Sequence, residues 1–316
     1  MSARVSGFSV EWLALREPHD AAARARAIVD VLRGSSASAR AGTTTARARG
    51  EPNGRAPRAI VDLGAGSAAN LRWLAPRLGG EQDWDLVDHD DSLLAAAERS
   101  LRDWASVRGA ELRADAGSRG AGPAALVVRG ADFSCRVRRT RLDLASDLAR
   151  VELPVRALVT SSALLDLVSA RWLEALAHRC RAAAADVYFA LTYDGRTLCA
   201  PAESDDAEVL ELFNRHQRGD KGFGPALGPT AAQRAPEIFA ALGYRVTTEA
   251  SDWRIAPRDA AFQRALLSGW LDAALEIAPR RADALRAWHA RRVAHVDAGR
   301  SSLTIGHVDL VALSAR

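Results

Sequence analysis

No apolar run in the sequence approaches the roughly 20 residues that a membrane span needs. The stretch from Met1 to Asp20 lacks an apolar core followed by a small-residue cleavage site. No secretory signal is therefore expected, and a cytoplasmic location follows by default. Cysteine is scarce: Cys135, Cys180 and Cys199 are odd in number, widely spaced and form no C-x-x-C. That argues against a disulfide framework or a zinc site and for ordinary reduced thiols. Lysine is almost missing, with Lys221 the only one, so nearly all the positive charge is arginine. The net charge of +4 raises the question of nucleic acid. Yet the arginines are interleaved with Asp and Glu, and no basic stripe carries aromatic residues for base stacking. A solvated, arginine-biased surface is the reading, and nucleic acid is not the expected partner. His, Asp and Glu do not cluster at ligand spacing, which predicts no metal. No internal repeat is found.

What is present is enough apolar sequence, 48% of 316 residues, for a sizeable α/β core. Residues 1–32 read as an N-terminal helical segment, with helix over 8–32 and Pro18 in a first turn, where its missing N–H is harmless. Residues 33–58 are Ser, Thr, Ala, Gly and Arg with little to bury, and read as a flexible linker. From Ala59 to Arg316, strands alternate with helices. Strands are expected at 59–63, 85–88, 126–128 with 134–142, 157–160, 186–192, 244–248 and 303–313. Residues 108–123 read as a glycine-rich loop, 195–230 as an irregular insertion, and 255–298 as a helical insertion before the last strand. The pattern predicts a doubly wound, mostly parallel seven-stranded sheet.

The sharpest local signal is Val61-Asp62-Leu63-Gly64-Ala65-Gly66-Ser67-Ala68-Ala69-Asn70, a buried strand entering two glycines and then a helix. Glycine at 64 permits a tight turn, and glycine at 66 lets the backbone approach a ligand at the carboxyl edge of the sheet. Gly64, Ala65, Gly66 and Asn70 are thus candidate ligand-binding positions. The spacing of Gly64, Gly66 and Ala69 also fits the dinucleotide fingerprint. Asp62 separates the two readings. A carboxylate two residues before the first glycine repels a pyrophosphate but suits the sulfonium and ammonium of S-adenosylmethionine (SAM). At an effective dielectric near 20, that attraction is about 4 kcal/mol at 4 Å, before desolvation. The other reading of Asp62 is a strand-end carboxylate capping a neighbouring helix.

Asp88 ends the next strand, where an acid can accept both hydroxyls of a ribose. His89, Asp90 and Asp91 crowd the same point, and His89 joins the candidate list. Arg141-Leu142-Asp143-Leu144 ends the third strand. Asp143 can accept from an adenine amino group with Leu144 covering the ring, or it can be a helix N-cap.

These segments resemble class I, Rossmann-like SAM-dependent methyltransferases. Asp-Leu-Gly-Ala-Gly-Ser is similar to the first motif of that family, VDHDDSLLAAA to the second, and RTRLDL to the segment that contacts adenine. Gly243 to Val246 and Ser302 to Leu313 are similar to its sixth and seventh strands, the last antiparallel. The resemblance covers roughly residues 59–192 and both late strands. It implies SAM as cofactor and is silent on the methyl acceptor. Two departures stand out. Ala68 occupies a position that is often a third glycine. Thr160-Ser161-Ser162-Ala163-Leu164-Leu165-Asp166 replaces the Asn/Asp-Pro-Pro-Tyr motif, which argues against methylation of nucleic-acid bases.

Methyl transfer from a sulfonium is an in-line displacement that needs alignment and, for a hydroxyl or protonated amine, a base. Ser161 and Asp166 follow strand four, and Asp166 can orient or deprotonate an acceptor or serve a helix start. Tyr193 follows strand five. His216, in the polar stretch 214–224, is a candidate base, while Arg215, Arg218 or Lys221 can hold an acidic substrate. Arg16 pairs either with the carboxylate of SAM or with Glu17 or Asp20. The leading expectation is a methyltransferase acting on an O or N atom of a small molecule. The alternatives are an NAD-dependent oxidoreductase using the same turn and a non-catalytic SAM-fold binding module.

Overall fold

The computed structural model describes residues 9–41, 57–115 and 125–315. Two helices, α1 (Val10–Ala23) and α2 (Arg26–Ala41), precede the sheet. The first half of the core is β1 (Arg58–Leu63), α3 (Ala69–Leu78), β2 (Gly80–Asp88), α4 (Asp91–Arg108), β3 (Glu111–Ala114), β4 (Leu126–Arg129), β5 (Phe133–Arg141) and the single turn α5 (Leu144–Asp147). The second half is β6 (Leu158–Ser162), α6 (Ala170–Ala182), β7 (Asp186–Ala200), α7 (Asp206–Gln217), α8 (Ala231–Ala241), β8 (Arg245–Ala250), β9 (Trp253–Ile255), α9 (Ala260–Ile277), α10 (Ala282–Asp297) and β10 (Ser302–Leu313).

The sheet runs β3-β4-β5-β2-β1-β6-β7-β10-β8, with β9 paired to β10. Strands β5, β2, β1, β6 and β7 are parallel. β10 is antiparallel to both β7 and β8. The chain adds strands to one side of β1 and then crosses to the other, so the switch point lies between β1 and β6. Open sheets of this kind bind ligands at the carboxyl ends of the strands there. The fold is therefore the doubly wound α/β sheet with an antiparallel last strand that the sequence implies, but with ten strands where seven are expected. The extra strands are β3, β9 and the separate β4. β3 falls inside the stretch read as a glycine-rich loop. Its four residues are largely exposed, so they carry no apolar signature.

Local chemistry accounts for the elements that frame the site. Ile60, Val61 and Leu63 are buried in β1, as is Asp62 among them. α4 starts at Asp90, whose carboxylate accepts from the Ser92 amide at 2.7 Å, and stops at Gly109 in a left-handed conformation. The N-terminal segment is two helices rather than one. α1 is capped by the Ser9 hydroxyl, which accepts from the Trp12 amide. Pro18 sits inside α1 and not in its first turn, so the carbonyl four residues back loses its helical donor. α2 runs on to Ala41, past the expected start of the linker at residue 33. Residues 42–56 of that linker lie outside the described residues.

Residues 195–217 correct the expectation of an irregular insertion. β7 continues to Ala200 along the first half of β10. There one face is exposed and the other half-covered, which leaves no apolar run to read. α7 follows, anchored by only two buried residues, Val209 and Leu212. It packs on α9, α10 and the turn between them through His216–Glu276, Asp206–Arg292 and Glu208–Arg281 pairs. The two insertions thus form one cap above the end of β7.

Candidate functional site

β1 delivers the chain into a bend at Gly64 and Gly66, with φ of +66° and +52°. Both values lie where a side chain is strained, so glycine is favoured at these two positions. The Gly64 and Ala65 amides both donate to the Val87 carbonyl, at 2.9 and 3.1 Å, which fastens the bend to the end of β2. The Gly66 amide donates to Asp88 Oδ2 at 2.9 Å, and the Asp90 amide donates to Asp88 Oδ1 at 3.0 Å. Each oxygen retains a lone pair for a further donor. His89 is mostly exposed, with Nδ1 3.4 Å from Asp88 Oδ1. Ala68 holds φ +65° at the start of α3 with no side-chain cap. The departure from a third glycine at 68 is therefore a matter of backbone strain, not of side-chain size. α1 lies across the bend. Leu13 Cδ1 stands 3.2 Å from where a Cβ on Gly66 would be.

Behind the bend is a buried polar network. Asn70, in the first turn of α3, donates through Nδ2 to Asp62 Oδ1 at 2.7 Å and to Thr160 Oγ1 at 3.0 Å. Its Oδ1 accepts from Arg24 Nη1 at 2.6 Å. Arg24 Nη2 donates to Ser162 Oγ at 2.8 Å. Asn70 is thus a bridge between Asp62 and Arg24, and its polar atoms are committed to protein partners. Asp62 is fully buried, and burial pushes its carboxyl up to about 7, against the pull of Asn70 and Arg24. Asp62 Oδ2 and Arg24 Nε are buried and have no partner among the described residues.

Several expected positions fall elsewhere. Ser161 pairs in register with Leu63, one residue on from the Asp62–Thr160 pair. Alternation along the strand therefore turns it to the opposite face, and Thr160 and Ser162 take the place beside Asp62. Asp143 is exposed and caps α5, accepting from the Ala145 amide at 2.9 Å, so the helix-cap reading describes it. Leu144 is buried in the core, with its carbonyl bonded by Trp172 Nε1. Arg16 pairs with Asp20 in a buried, two-pronged contact at 2.9 and 3.2 Å and lies over the Trp253 ring. Of Glu17 and Asp20, Asp20 is the acid it pairs with.

A second group stands just after β6 and midway along β7. Asp166 is buried, with Oδ1 unpartnered among the described residues. The N-cap of α6 is Ser169, so Asp166 does not start that helix. Burial pushes the Asp166 carboxyl up to about 6, opposed by the charges of Arg16 and Lys221. Tyr193 is buried too, its hydroxyl donating to Asn214 Oδ1 at 2.8 Å, and burial pushes its phenol up. His216 is spent: Nδ1 accepts from Lys221 Nζ at 3.3 Å, and Nε2 contacts Glu276 at 3.1 Å. Burial, then Lys221, holds its pKa below the ordinary value.

Solved structures similar to this chain include a SAM-dependent methyltransferase from Thiobacillus denitrificans in complex with S-adenosylhomocysteine. It is 15% identical, at a TM-score of 0.39, over 96% of this chain and 98% of that one. A cyclopropane synthase from Mycobacterium tuberculosis is 11% identical, at 0.39, over 90% of this chain and 83% of that one. A phosphoethanolamine N-methyltransferase from Haemonchus contortus is 14% identical, at 0.36, over 82% of this chain. The match spans half the length of that enzyme. No family model and no curated protein matches the chain. At these identities and scores, the assignment rests on the geometry of the site itself.

Two residues near the site carry no sequence signal. Arg24 is one of many arginines, and only the break between α1 and α2 turns it inward. His307 sits in the last strand, where burial and Arg16 hold its imidazole down to about 3. It is therefore neutral, with Nδ1 donating to the Ile305 carbonyl at 3.0 Å and a lone pair left on Nε2. Tyr193 and Trp253 flank its ring, with centroids at 6.0 and 4.6 Å.

Proposed function

We propose that the chain is a SAM-dependent methyltransferase that methylates an O or N atom of a small molecule. The observation that carries this reading is Asp62. Its carboxylate is buried directly behind a side-chain-free bend and keeps one oxygen unpartnered. A buried carboxylate of this kind calls for a cation. The Gly66 amide is already held by Asp88, so the bend offers little to a pyrophosphate. That favours a cationic nucleoside over a dinucleotide. In this reading Asp88, at the end of β2, takes the ribose hydroxyls, and Asp62 takes the ammonium end.

SAM, when bound, supplies a methyl group on a sulfonium. Gly66, Asp88 and Asp62 would hold it at the bend, and it would supply an electrophilic carbon for in-line transfer to the acceptor. The protein has to align the acceptor and take its proton. Asp166 suits the second task. It is buried just after β6 with one oxygen unpartnered, and burial pushes its carboxyl up to about 6, so it is ionised at neutral pH yet basic enough to accept. Tyr193 and the lone pair of His307 Nε2 help to orient the acceptor. Small molecules are favoured because the cap of α7, α9 and α10 stands over the end of β7.

Isothermal calorimetry with SAM, S-adenosylhomocysteine and NADH tests the assignment. The first two are expected to bind at micromolar concentration and NADH to give no heat. NADH heat without SAM heat would overturn it. Methyl-tritiated SAM, with a panel of hydroxyl, amine and carboxylate compounds, then finds the acceptor. Turnover of that acceptor is expected to rise as pH passes through about 6, because Asp166 accepts only when ionised. A rate that fell or stayed flat over that range would remove Asp166 from this role.

A further inference from the structure

The geometry points to Arg24 as the residue that binds the carboxylate of the amino-acid end of the cofactor, next to Asp62, which takes its ammonium. The inference rests on the methyltransferase reading and assigns a task for which Arg16 is one of the candidates in the sequence. Arg24 is 4% exposed, and its hydrogen bonds go to two neutral groups, Asn70 and Ser162. No carboxylate among the described residues lies in salt-bridge contact with it, and Nε is an orphan. A guanidinium has five N–H donors in a planar fork that matches a carboxylate. Arg24 spends few of them.

The corner that presents Arg24 is fixed. α1 ends with the Arg24 amide on the Asp20 carbonyl at 3.2 Å. The next amide, of Ala25, donates to Asp309 Oδ2 at 3.1 Å. Asp309 is fully buried in β10 and also accepts from Tyr188 and from the Leu191 amide. The Trp73 ring backs the guanidinium at 5.1 Å. Asn70 holds Arg24 on one side and Asp62 on the other, so a cation and an anion stand a single side chain apart. An α-amino acid in its zwitterionic form is the complementary shape: carboxylate toward Arg24, ammonium toward Asp62. Arg16 is less suited, because its charge is already paired with Asp20.

The test compares three adenosine thioethers by calorimetry. S-adenosylhomocysteine has both charged groups. Its decarboxylated analogue keeps only the amine. 5′-Methylthioadenosine has neither. The wild-type protein is expected to prefer S-adenosylhomocysteine over the decarboxylated analogue by about 10–100-fold, the scale of a hydrogen bond to a charged group. Arg24→Gln is expected to erase that preference while binding the other two within about twofold of wild type. Arg24→Lys is expected to restore part of it. Equal loss of all three ligands in Arg24→Gln would show a merely structural arginine and overturn the assignment. So would a wild-type protein indifferent to the carboxylate, a result that requires no variant to fold. If the wild-type protein binds none of the three, the methyltransferase reading itself fails, and this assignment with it.

Discussion

Asp88→Ala is expected to weaken S-adenosylhomocysteine binding by about 3 kcal/mol, or roughly 100-fold, as read by calorimetry. Two losses combine. The ribose hydroxyls lose a charged acceptor. The Gly66 amide, which donates to Asp88 Oδ2 at 2.9 Å, loses the group that shapes the bend. The Asp90 amide loses its acceptor as well, and with it the link between β2 and the start of α4. Asp88→Asn keeps one carbonyl oxygen for these contacts, and its expected loss is smaller, about 10-fold. The melting temperature separates a binding effect from a folding one, since β1 and α3 are held by their own core. Unchanged affinity in Asp88→Ala would remove the ribose from this position.

Asp62→Asn is expected to do two opposite things: stabilise the empty protein above pH 7 and weaken its hold on the cofactor. The folded carboxyl is raised from 3.8 to about 7 because burial disfavours its charge. The folded chain therefore binds the proton more tightly than the unfolded chain. Stability from this group is fully present below about pH 4 and is lost as pH rises toward 7. Above that, the buried charge opposes folding by on the order of 4 kcal/mol at most, since each pKa unit is worth about 1.4 kcal/mol. Asparagine abolishes the slope. The net gain is smaller than this bound, because Arg24 loses a nearby anion. Chemical denaturation of both proteins at pH 5 and pH 8 checks the sign. A variant less stable than wild type at pH 8 would contradict it. The same logic predicts that binding an ammonium beside Asp62 releases a proton near pH 7. The calorimetric heat should then vary with the ionisation enthalpy of the buffer.

The sheet and the bend were legible because both depend on near neighbours in the chain. A run such as Ala59 to Leu63 can only be buried, and two glycines after it can only turn. Asp88 followed from its place at a strand end. What stayed hidden depends on distant partners or on thin signals. β3 and α7 bury too little for a pattern to show. Ser161 follows strand four beside the bend, but one step of strand alternation turns it to the face opposite Asp62. Arg16 and Arg24 are indistinguishable as letters. Which of them reaches the bend is decided by where α1 stops, and that is fixed by Asp309, some 284 residues away. His216 had the right chemistry in the right insertion, but Lys221 and Glu276 already occupy both ring nitrogens.

Leu13 gives the bend a tenant. Its methyl rests in the hollow that the missing side chain of Gly66 leaves open. A β-carbon added at position 66 would meet that methyl at 3.2 Å, closer than ordinary van der Waals contact. Any larger residue at position 66 would thus have to displace α1 as well as strain the bend.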